Sequence, residues 1–425
     1  MPTAALDAEA REILRANDLG GYTVPTHGLY PYQWNWDSAL VALGQRHVDE
    51  ARAWREIETL LTGQWDDGMV PHIVFHQVDP GYFPGPQEWG VEHIPPTSGI
   101  TQPPVAATTV RRLYDSARAV DREAAARRLF PKLLAWHRWF HDKRDRDGGG
   151  LIGIVHPWES GRDNSPDWDA ALAAVDIADV GDLRRRDITH VEADQRPLED
   201  DYLRYMALVA VGRDCGWDPA LLRASSPFWM LCPGFNAILL RAHRDLSELA
   251  WALGETSAAT EIARWIAAME AGFERLWDDE AHVYRCHDAL TDEPVDSLGS
   301  AGFLPLYAGA ASADQAPQLA ERLADWLDQV RYGVPSCDPA DPRFEPKRYW
   351  RGPVWLVVNR MIAEGLTDYG FDELAARIRG DSATLVETGG FYESFDPTTG
   401  NGVGGDRFSW TAAMWLDWAS PSALN

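Results

Sequence analysis

The stretch 236-NAILLRAHRDLSELAW-251 places Ile238, Leu239, Ala242, Leu246 and Leu249 on one stripe of a helix, with charged side chains around the rest. Apolar residues at i, i+3, i+4 and i+7 mark a helix that buries one face and wets the other. The same period recurs at about 4–17, 37–48, 50–62, 104–118, 121–141, 167–183, 199–214, 256–277, 314–330, 353–367, 371–380 and 408–419. Strand candidates are few, the best being 150-GLIGIVHPW-158. This pattern predicts an all-α fold. Helices alternating with long loops predict pairs arranged in a ring, an α/α toroid whose loops gather round a pocket at one open end.

The 425 residues fit one large toroidal domain or two ordinary ones. No composition break or low-complexity tract divides them, so residues 1–425 are read as a single domain. The loop at about 77–103 is rich in Pro, Gly and aromatic rings and reads as a rim or lid, not a linker; a second cap loop is placed at about 185–200.

Charge excludes several functions. Lys and Arg total 39 against 65 Asp and Glu, a net charge of −26, which argues against a nucleic-acid partner. No apolar run is long enough to span a membrane, and the start, MPTAALDAEAREILRAND, reads as a polar helix without the pattern of a signal peptide. A cytoplasmic protein is therefore expected. Cys215, Cys232, Cys286 and Cys337 are widely spread with no CxxC and read as reduced, buried thiols. No metal or cofactor is indicated, and a homo-oligomer is left open.

Tryptophan, at 20 residues, outnumbers both Phe and Tyr at 13 each. Flat rings with a polar N–H suit a surface that grips sugars, although dense helix packing would also use them. Position favours the first use. Five segments, 30-YPYQWNWDS-38, 98-SGITQPP-104, 156-HPWESGRDNSPDWD-169, 347-KRYWRGPVW-355 and 391-FYESFDPTTGNGVGGDRFSW-410, place rings beside acids, amides or arginines, or supply the amide Gln102 among Gly and Pro. A loop packed by its own aromatics explains one such segment. Five together read as a carbohydrate pocket, with rings on the sugar's C–H face and polar groups on its hydroxyls.

Cleaving a glycosidic bond takes one protonated and one ionised carboxyl group. Asp163, in a tight turn between Trp158, Pro166 and Trp168, is the candidate acid; its competing reading is a helix cap, which Asn164 or Ser165 could also supply. Glu393, flanked by Tyr392 and Phe395 before a Gly-rich loop, is the candidate base; its competing reading is an ion pair with Arg407. Asp37 is the third carboxyl, with a helix-cap reading that is compatible with sugar binding. Other patterns fall away. His72 and His76 lack the Glu of a zinc-protease motif, 142-DKRDRDGGG-150 lacks the last ligand of a calcium loop, and 400-GNGVGGD-406 follows no dinucleotide-binding strand.

QWNWDS at 33–38, HPWESGRDNSP at 156–166, YWRGPVW at 349–355 and YESFDPTTGNGVGGDRFSWTAA at 392–413 together resemble the inverting α-glycosidases of glycoside hydrolase family 63. Within it the short chain and the YPYQWNWDS start look most like the bacterial mannosylglycerate and glucosylglycerate hydrolases. The resemblance implies an (α/α)6 barrel, Asp163 as general acid and Glu393 as general base. It further implies a sugar subsite of Tyr30, Trp34, Trp36, Asp37, Gln102, Trp158 and Gly161, closed by Trp355 and Trp410. Arg196 and Tyr202 would meet a glycerate with Tyr349, Trp350 and the backbone at Gly352, and Arg196 or Arg351 would supply the cation for its carboxylate. The expected reaction is inverting hydrolysis of 2-O-α-glucosyl- or mannosylglycerate. The alternatives are another α-glucoside or oligosaccharide, a sugar-binding protein on the same scaffold, and a toroidal epimerase that would rely on histidines.

Overall fold

A computed structural model describes residues 3–178, 180, 185 and 191–424. Its thirteen principal helices are α1 (Thr3–Ala16), α2 (Asn35–Gln45), α3 (Glu50–Leu60), α4 (Ala106–Ser116), α5 (Arg122–Arg144), α6 (Glu199–Asp214), α7 (Pro233–Leu253), α8 (Thr256–Phe273), α9 (Pro305–Ala308), α10 (Gln315–Gln329), α11 (Leu356–Asp368), α12 (Asp372–Gly389) and α13 (Ser409–Met414). Burial sorts them into two layers. All 11 residues of α2, all 4 of α9 and all 6 of α13 are buried, whereas α1 buries only Leu6, Ala10, Ile13 and Leu14. A helix buried all round belongs inside, and one buried on a stripe belongs outside.

The inner helices close a ring: α2 packs on α4, α4 on α7, α7 on α9, α9 on α11, α11 on α13, and α13 back on α2. The first five lead to an outer companion next in the chain and α13 is covered by α1 from the other end of the sequence, which gives the (α/α)6 barrel. Where an inner helix leads to its outer companion the turn is short, as at 46–49 and 254–255; where an outer helix leads to the next inner one the chain makes a long excursion. Those excursions, 17–34, 61–105, 145–232, 274–304, 330–355 and 390–408, hold almost all of the five aromatic and acidic segments. One end of the barrel is therefore plain and the other is built.

The built end carries the small sheets, all of two-residue strands. Gly153–Ile154, Met230–Leu231, His287–Asp288 and Glu293–Pro294 form an antiparallel ladder in that order. The expected strand at 150–158 is thus present but only two residues long, because the chain turns into a 3-10 helix at Pro157–Ser160.

Three sequence expectations change. The longest excursion, 145–232, contains α6 and also the helix Pro219–Ser225, which the sequence pattern missed. The helix expected over 167–183 begins as a 3-10 turn at Pro166–Trp168 and continues as Asp169–Ala173; 179 and 181–184 lie outside the described residues. The helix expected at 371–380 runs on to Gly389. No helix among the described residues is long and apolar enough to cross a membrane.

Candidate active site

The loop end opens into a cavity of about 920 Å³, its mouth included. One wall is made by the strand Gln33–Trp34, which pairs with Ile73–Val74 and leads directly into α2. That geometry brings Trp34, Trp36 and Asp37 to the cavity, with Tyr30 beside them. Gln102 lies there too, its side-chain oxygen accepting from the Trp36 N–H at 3.3 Å. The second wall is the turn after Pro157–Ser160, with Trp158, Gly161 and Asp163. Gly161 has φ +69°, and a Cβ there would come within 2.7 Å of the Trp36 ring, so only glycine fits between turn and ring. Arg196, Tyr202, Tyr349, Trp350, Glu393 and Trp410 also line it. Tyr349 sits at φ +38°, a conformation that costs energy in a non-glycine residue.

Glu393 is 2 % exposed and held from three sides. Tyr30 Oη donates to its Oε1 at 2.9 Å, while Arg196 Nη2 at 2.9 Å and the Gly405 N–H at 3.1 Å donate to Oε2. A carboxylate offers about four acceptor positions, so one remains for a water. Gly404, at φ +80°, has no room for a Cβ, which would stand 2.3 Å from Glu393 Oε2. Arg196, not Arg407, is thus the ion-pair partner. Arg196 also donates to Tyr30 Oη at 2.7 Å and lies over the Tyr349 ring.

The helix-cap reading of Asp163 fails, because Ser165 caps the 3-10 turn at Pro166–Trp168 and Asn164 donates to Asp201 at 3.1 Å. Asp163 remains at the cavity, half-buried, its backbone oxygen fixed by Tyr205 Oη at 2.7 Å. Asp37 does not cap α2 either; Trp34 holds the cap position and Asp37 lies inside the first turn. Burial, then the charge of Glu393, raises the Asp37 carboxyl well above the usual carboxylate range, with a smaller push from Asp163. That shift favours the protonated form of Asp37, which can donate as well as accept.

Three expected contacts do not line the cavity. Arg351 is turned away into a two-pronged ion pair with Asp169. The Gly352 N–H is spent on Ser336 Oγ at 2.9 Å, and the residue packs against the Glu345 backbone. Trp355 lies behind Trp350, the two rings parallel at 3.9 Å, so it supports the wall without facing the sugar space.

The sequence reading missed His72, Tyr82, Phe83 and Phe408 among the lining residues. Tyr82 and Phe83 come from the loop at 77–103, whose rings were the available signal. His72 stacks on Trp158, bonds Ser98 Oγ at 2.9 Å and is held neutral by burial. His156 instead caps the Pro157–Ser160 turn, its pKa lowered to about 3 by burial, so no protonatable histidine faces the cavity among the described residues. Of the cap loop expected at 185–200, residues 186–190 lie outside the described residues; Arg196 and Pro197 reach the cavity.

A helical toroid whose loop end gathers carboxyl groups among tryptophans has the arrangement of a glycoside hydrolase. Residues 30–411 match the mannosylglycerate hydrolase MGH1-like glycoside hydrolase domain, and the chain belongs to that family, within glycoside hydrolase family 63. It is 53% identical to the mannosylglycerate hydrolase MGH1 of Selaginella moellendorffii over 98% of this chain and 86% of that one. It is 35% identical to the glucosylglycerate hydrolase of Mycolicibacterium hassiacum over 97% of both. The crystal structure of the mannosylglycerate hydrolase of Thermus thermophilus in complex with Tris and D-glycerate matches with a TM-score of 0.93, at 51% identity over 97% of this chain and 99% of that one. A glucose complex of the same enzyme matches with a TM-score of 0.90, at the same identity and coverage.

Proposed function

We propose that the enzyme hydrolyses 2-O-α-mannosyl- or 2-O-α-glucosylglycerate to free hexose and D-glycerate, with Asp163 as general acid and Glu393 as general base. The observation that carries this reading is that Asp163 and Glu393, far apart in sequence, line one tryptophan-walled cavity together with Arg196. Asp163 protonates the glycosidic oxygen. Glu393 takes the proton of a water held at its free acceptor position, and the water attacks the anomeric carbon from the face opposite the leaving group. Tyr30 and Arg196 hold the Glu393 carboxylate in place. Trp34, Trp36, Trp158 and Trp410 offer apolar faces and edges for the hexose, and the Asp37 carboxyl exchanges hydrogen bonds with its hydroxyls.

The glycerate carboxylate would meet the Arg196 guanidinium beside Tyr202, Tyr349 and Trp350. The loop at 77–103, which brings Tyr82 and Phe83 to the cavity, and the segment around Arg196 act as lids that exclude water. The four unpaired cysteines suit a reducing, cytoplasmic setting. Proton NMR of the first-formed anomer, over a panel of α-mannosides and α-glucosides with glycerate, glycerol and sugar aglycones, tests the reading. Release of β-hexose from the glycerate compounds is the expected result; preference for a disaccharide, or retention at the anomeric carbon, would overturn it.

A further inference from the structure

Directly beneath the turn that carries Asp163 lies a pair of cysteines that the hydrolytic reaction does not use. The ladder between Met230–Leu231 and His287–Asp288 pairs Leu231 with His287 and Met230 with Asp288, so the next opposed pair in the same register is Cys232 and Cys286. The Ala289 N–H donates to the Trp229 oxygen, which makes 229 and 289 a hydrogen-bonded pair. Alternation along the ladder then makes 232 and 286 a non-hydrogen-bonded pair, the class with the closer side chains and a Cα separation of about 4.5 Å. That separation lies within the span a disulfide bridges. The two sulfurs also converge on one atom: Arg162 Nη2 is 3.7 Å from Cys232 Sγ and 3.9 Å from Cys286 Sγ.

Arg162 is the residue before Asp163, and it holds the turn from below. Its Nη2 donates to Asp167 Oδ2 at 2.6 Å and its Nη1 to Ser165 Oγ at 3.3 Å, while its backbone oxygen accepts from Trp168 Nε1 at 2.7 Å. Cys286 Sγ stands 3.6 Å from the same Asp167 oxygen. The sulfurs are thus part of the seat on which the Asp163 turn rests.

The geometry points to a redox-sensitive dithiol: Cys232 and Cys286 are oxidised by a hydroperoxide to a disulfide that reshapes the seat of Arg162 and slows hydrolysis until a thiol reductant reopens it. The Cys232 sulfur attacks one peroxide oxygen, the O–O bond breaks, and the departing hydroxide leaves as water with the thiol proton. The Cys286 sulfur then attacks the resulting sulfenic sulfur; the S–O bond breaks, and a second water carries away the Cys286 proton. Two thiols and one hydroperoxide become one disulfide and two waters when the oxidant is hydrogen peroxide, the sulfurs oxidised and the peroxide oxygens reduced.

The order of events follows from the surroundings. Burial opposes the Cys232 thiolate, but the Cys286 thiol and Arg162 outweigh it and hold Cys232 below the ordinary thiol value, whereas burial and the neighbouring Cys232 push Cys286 well up. Cys232 is the attacking sulfur and Cys286 the resolving one. At 1 % and 3 % exposure the pair admits only small reagents, which selects a small peroxide as the oxidant and a small dithiol as the reductant.

The test treats the purified, reduced full chain with hydrogen peroxide and reads three signals: the linked peptides by mass, tryptophan fluorescence, and hydrolysis of the α-glycoside. The first two need no substrate. The expected result is a Cys232–Cys286 linkage, a fluorescence change from Trp168 against Arg162, and turnover lowered about tenfold, the scale of a slightly displaced catalytic group. A dithiol reductant restores all three. Cys232→Ser keeps an oxygen that can cap α7, where Cys232 now accepts from the Phe235 N–H, and Cys286→Ser keeps a donor to Asp167, so the double variant is expected to fold and to hold its turnover in peroxide. No linkage at a peroxide dose that already oxidises methionine, a linkage without loss of turnover, or equal inhibition of the double variant would each overturn the proposal.

Discussion

Two buried glutamates of this protein are each held by an arginine, and they do opposite work. Glu159, wholly buried, receives Arg144 through two bonds of 2.8 Å and also the N–H groups of Thr101 and Val155. Arg144 ends α5, so every donor comes from a helix or from the main chain. All of the acceptor positions are filled, and Glu159 does not line the active-site cavity. Glu393 is as deeply buried, yet its arginine comes from an excursion, its other side-chain partner is a phenol, and it faces the cavity with one position open. A saturated carboxylate held by the frame clamps loops together. One left partly unsaturated, with a loop-borne partner, has room for a reacting water.

The comparison breaks most sharply at the reacting groups. Glu393→Gln and Asp163→Asn are each expected to lower kcat about 10³-fold or more, the scale of lost acid or base catalysis, while circular dichroism and melting stay close to the parent. Turnover within tenfold of the parent in either variant would mean that another carboxyl, Asp37 first, has the role. The clamp behaves in reverse. Arg144→Met leaves the Glu159 charge buried among main-chain donors and is expected to cost about 3–5 kcal/mol of stability in denaturant unfolding, with kcat of the remaining folded enzyme little changed. If Arg144→Met lowered kcat and left stability alone, the division between clamp and reacting group would be wrong.

That division was partly legible in the sequence. The five aromatic and acidic segments could be read because each packs its chemistry into a few neighbouring residues, and the ring of helices because most of them are long enough to show a period. The inner helix α9 could not be read this way, since 4 residues show no period. Pro219–Ser225 is also short, although Asp218 followed by Pro219 was a legible helix start. Within 349–355 the order of residues did not reveal direction: Tyr349 and Trp350 face the cavity, while Arg351, Gly352 and Trp355 turn to Asp169, Ser336 and the back of Trp350. Nor did any local pattern tie Arg196 to Glu393, because that pair spans the chain and depends on the closing of the barrel.

Acid separates the frame from the site by pH. Glu364 on α11 is half-buried, and that burial alone would raise its pKa, but Arg112 on α4 and Arg360 outweigh this and hold it at about 2. The folded value lies below the unfolded one of about 4.5, so the contribution is present in full above pH 4.5 and is lost as pH falls from there towards 2. Thermal melts of parent and Glu364→Gln are expected to differ by about 2–3 kcal/mol near neutral pH and to converge towards pH 2. The buried His137 and the half-buried His141, whose pKa values desolvation lowers to about 3 and about 4, act on the parent in the same direction. As pH falls below 6.5 the unfolded chain takes up protons that the folded one refuses, and stability declines further. A gap between parent and Glu364→Gln that stayed constant down to pH 2 would show that the helix-borne pair is not what titrates.

The finest test lies on Arg196 itself, because this one side chain belongs to both descriptions. In the absence of substrate it is the partner of Glu393 and Tyr30, as Arg144 is the partner of Glu159. In the proposed reaction it also meets the glycerate carboxylate, and a single guanidinium with five donors can serve both acids at once. Removing it should therefore do less than removing Arg144 to the fold and more to substrate binding. Arg196→Met is expected to shift unfolding by no more than about 1 kcal/mol, since Glu393 keeps Tyr30 and the Gly405 N–H and borders a cavity that water enters. It should raise KM for the glycerate glycoside about tenfold to a hundredfold, with Arg196→Lys between the two. The glycerol analogue, which has no carboxylate, separates the roles: its KM should not change, whereas any fall in kcat common to both substrates measures the support that Arg196 gives to Glu393. Equal increases in KM for the two substrates would assign Arg196 wholly to the catalytic carboxylate and leave the anionic end of the substrate to other residues.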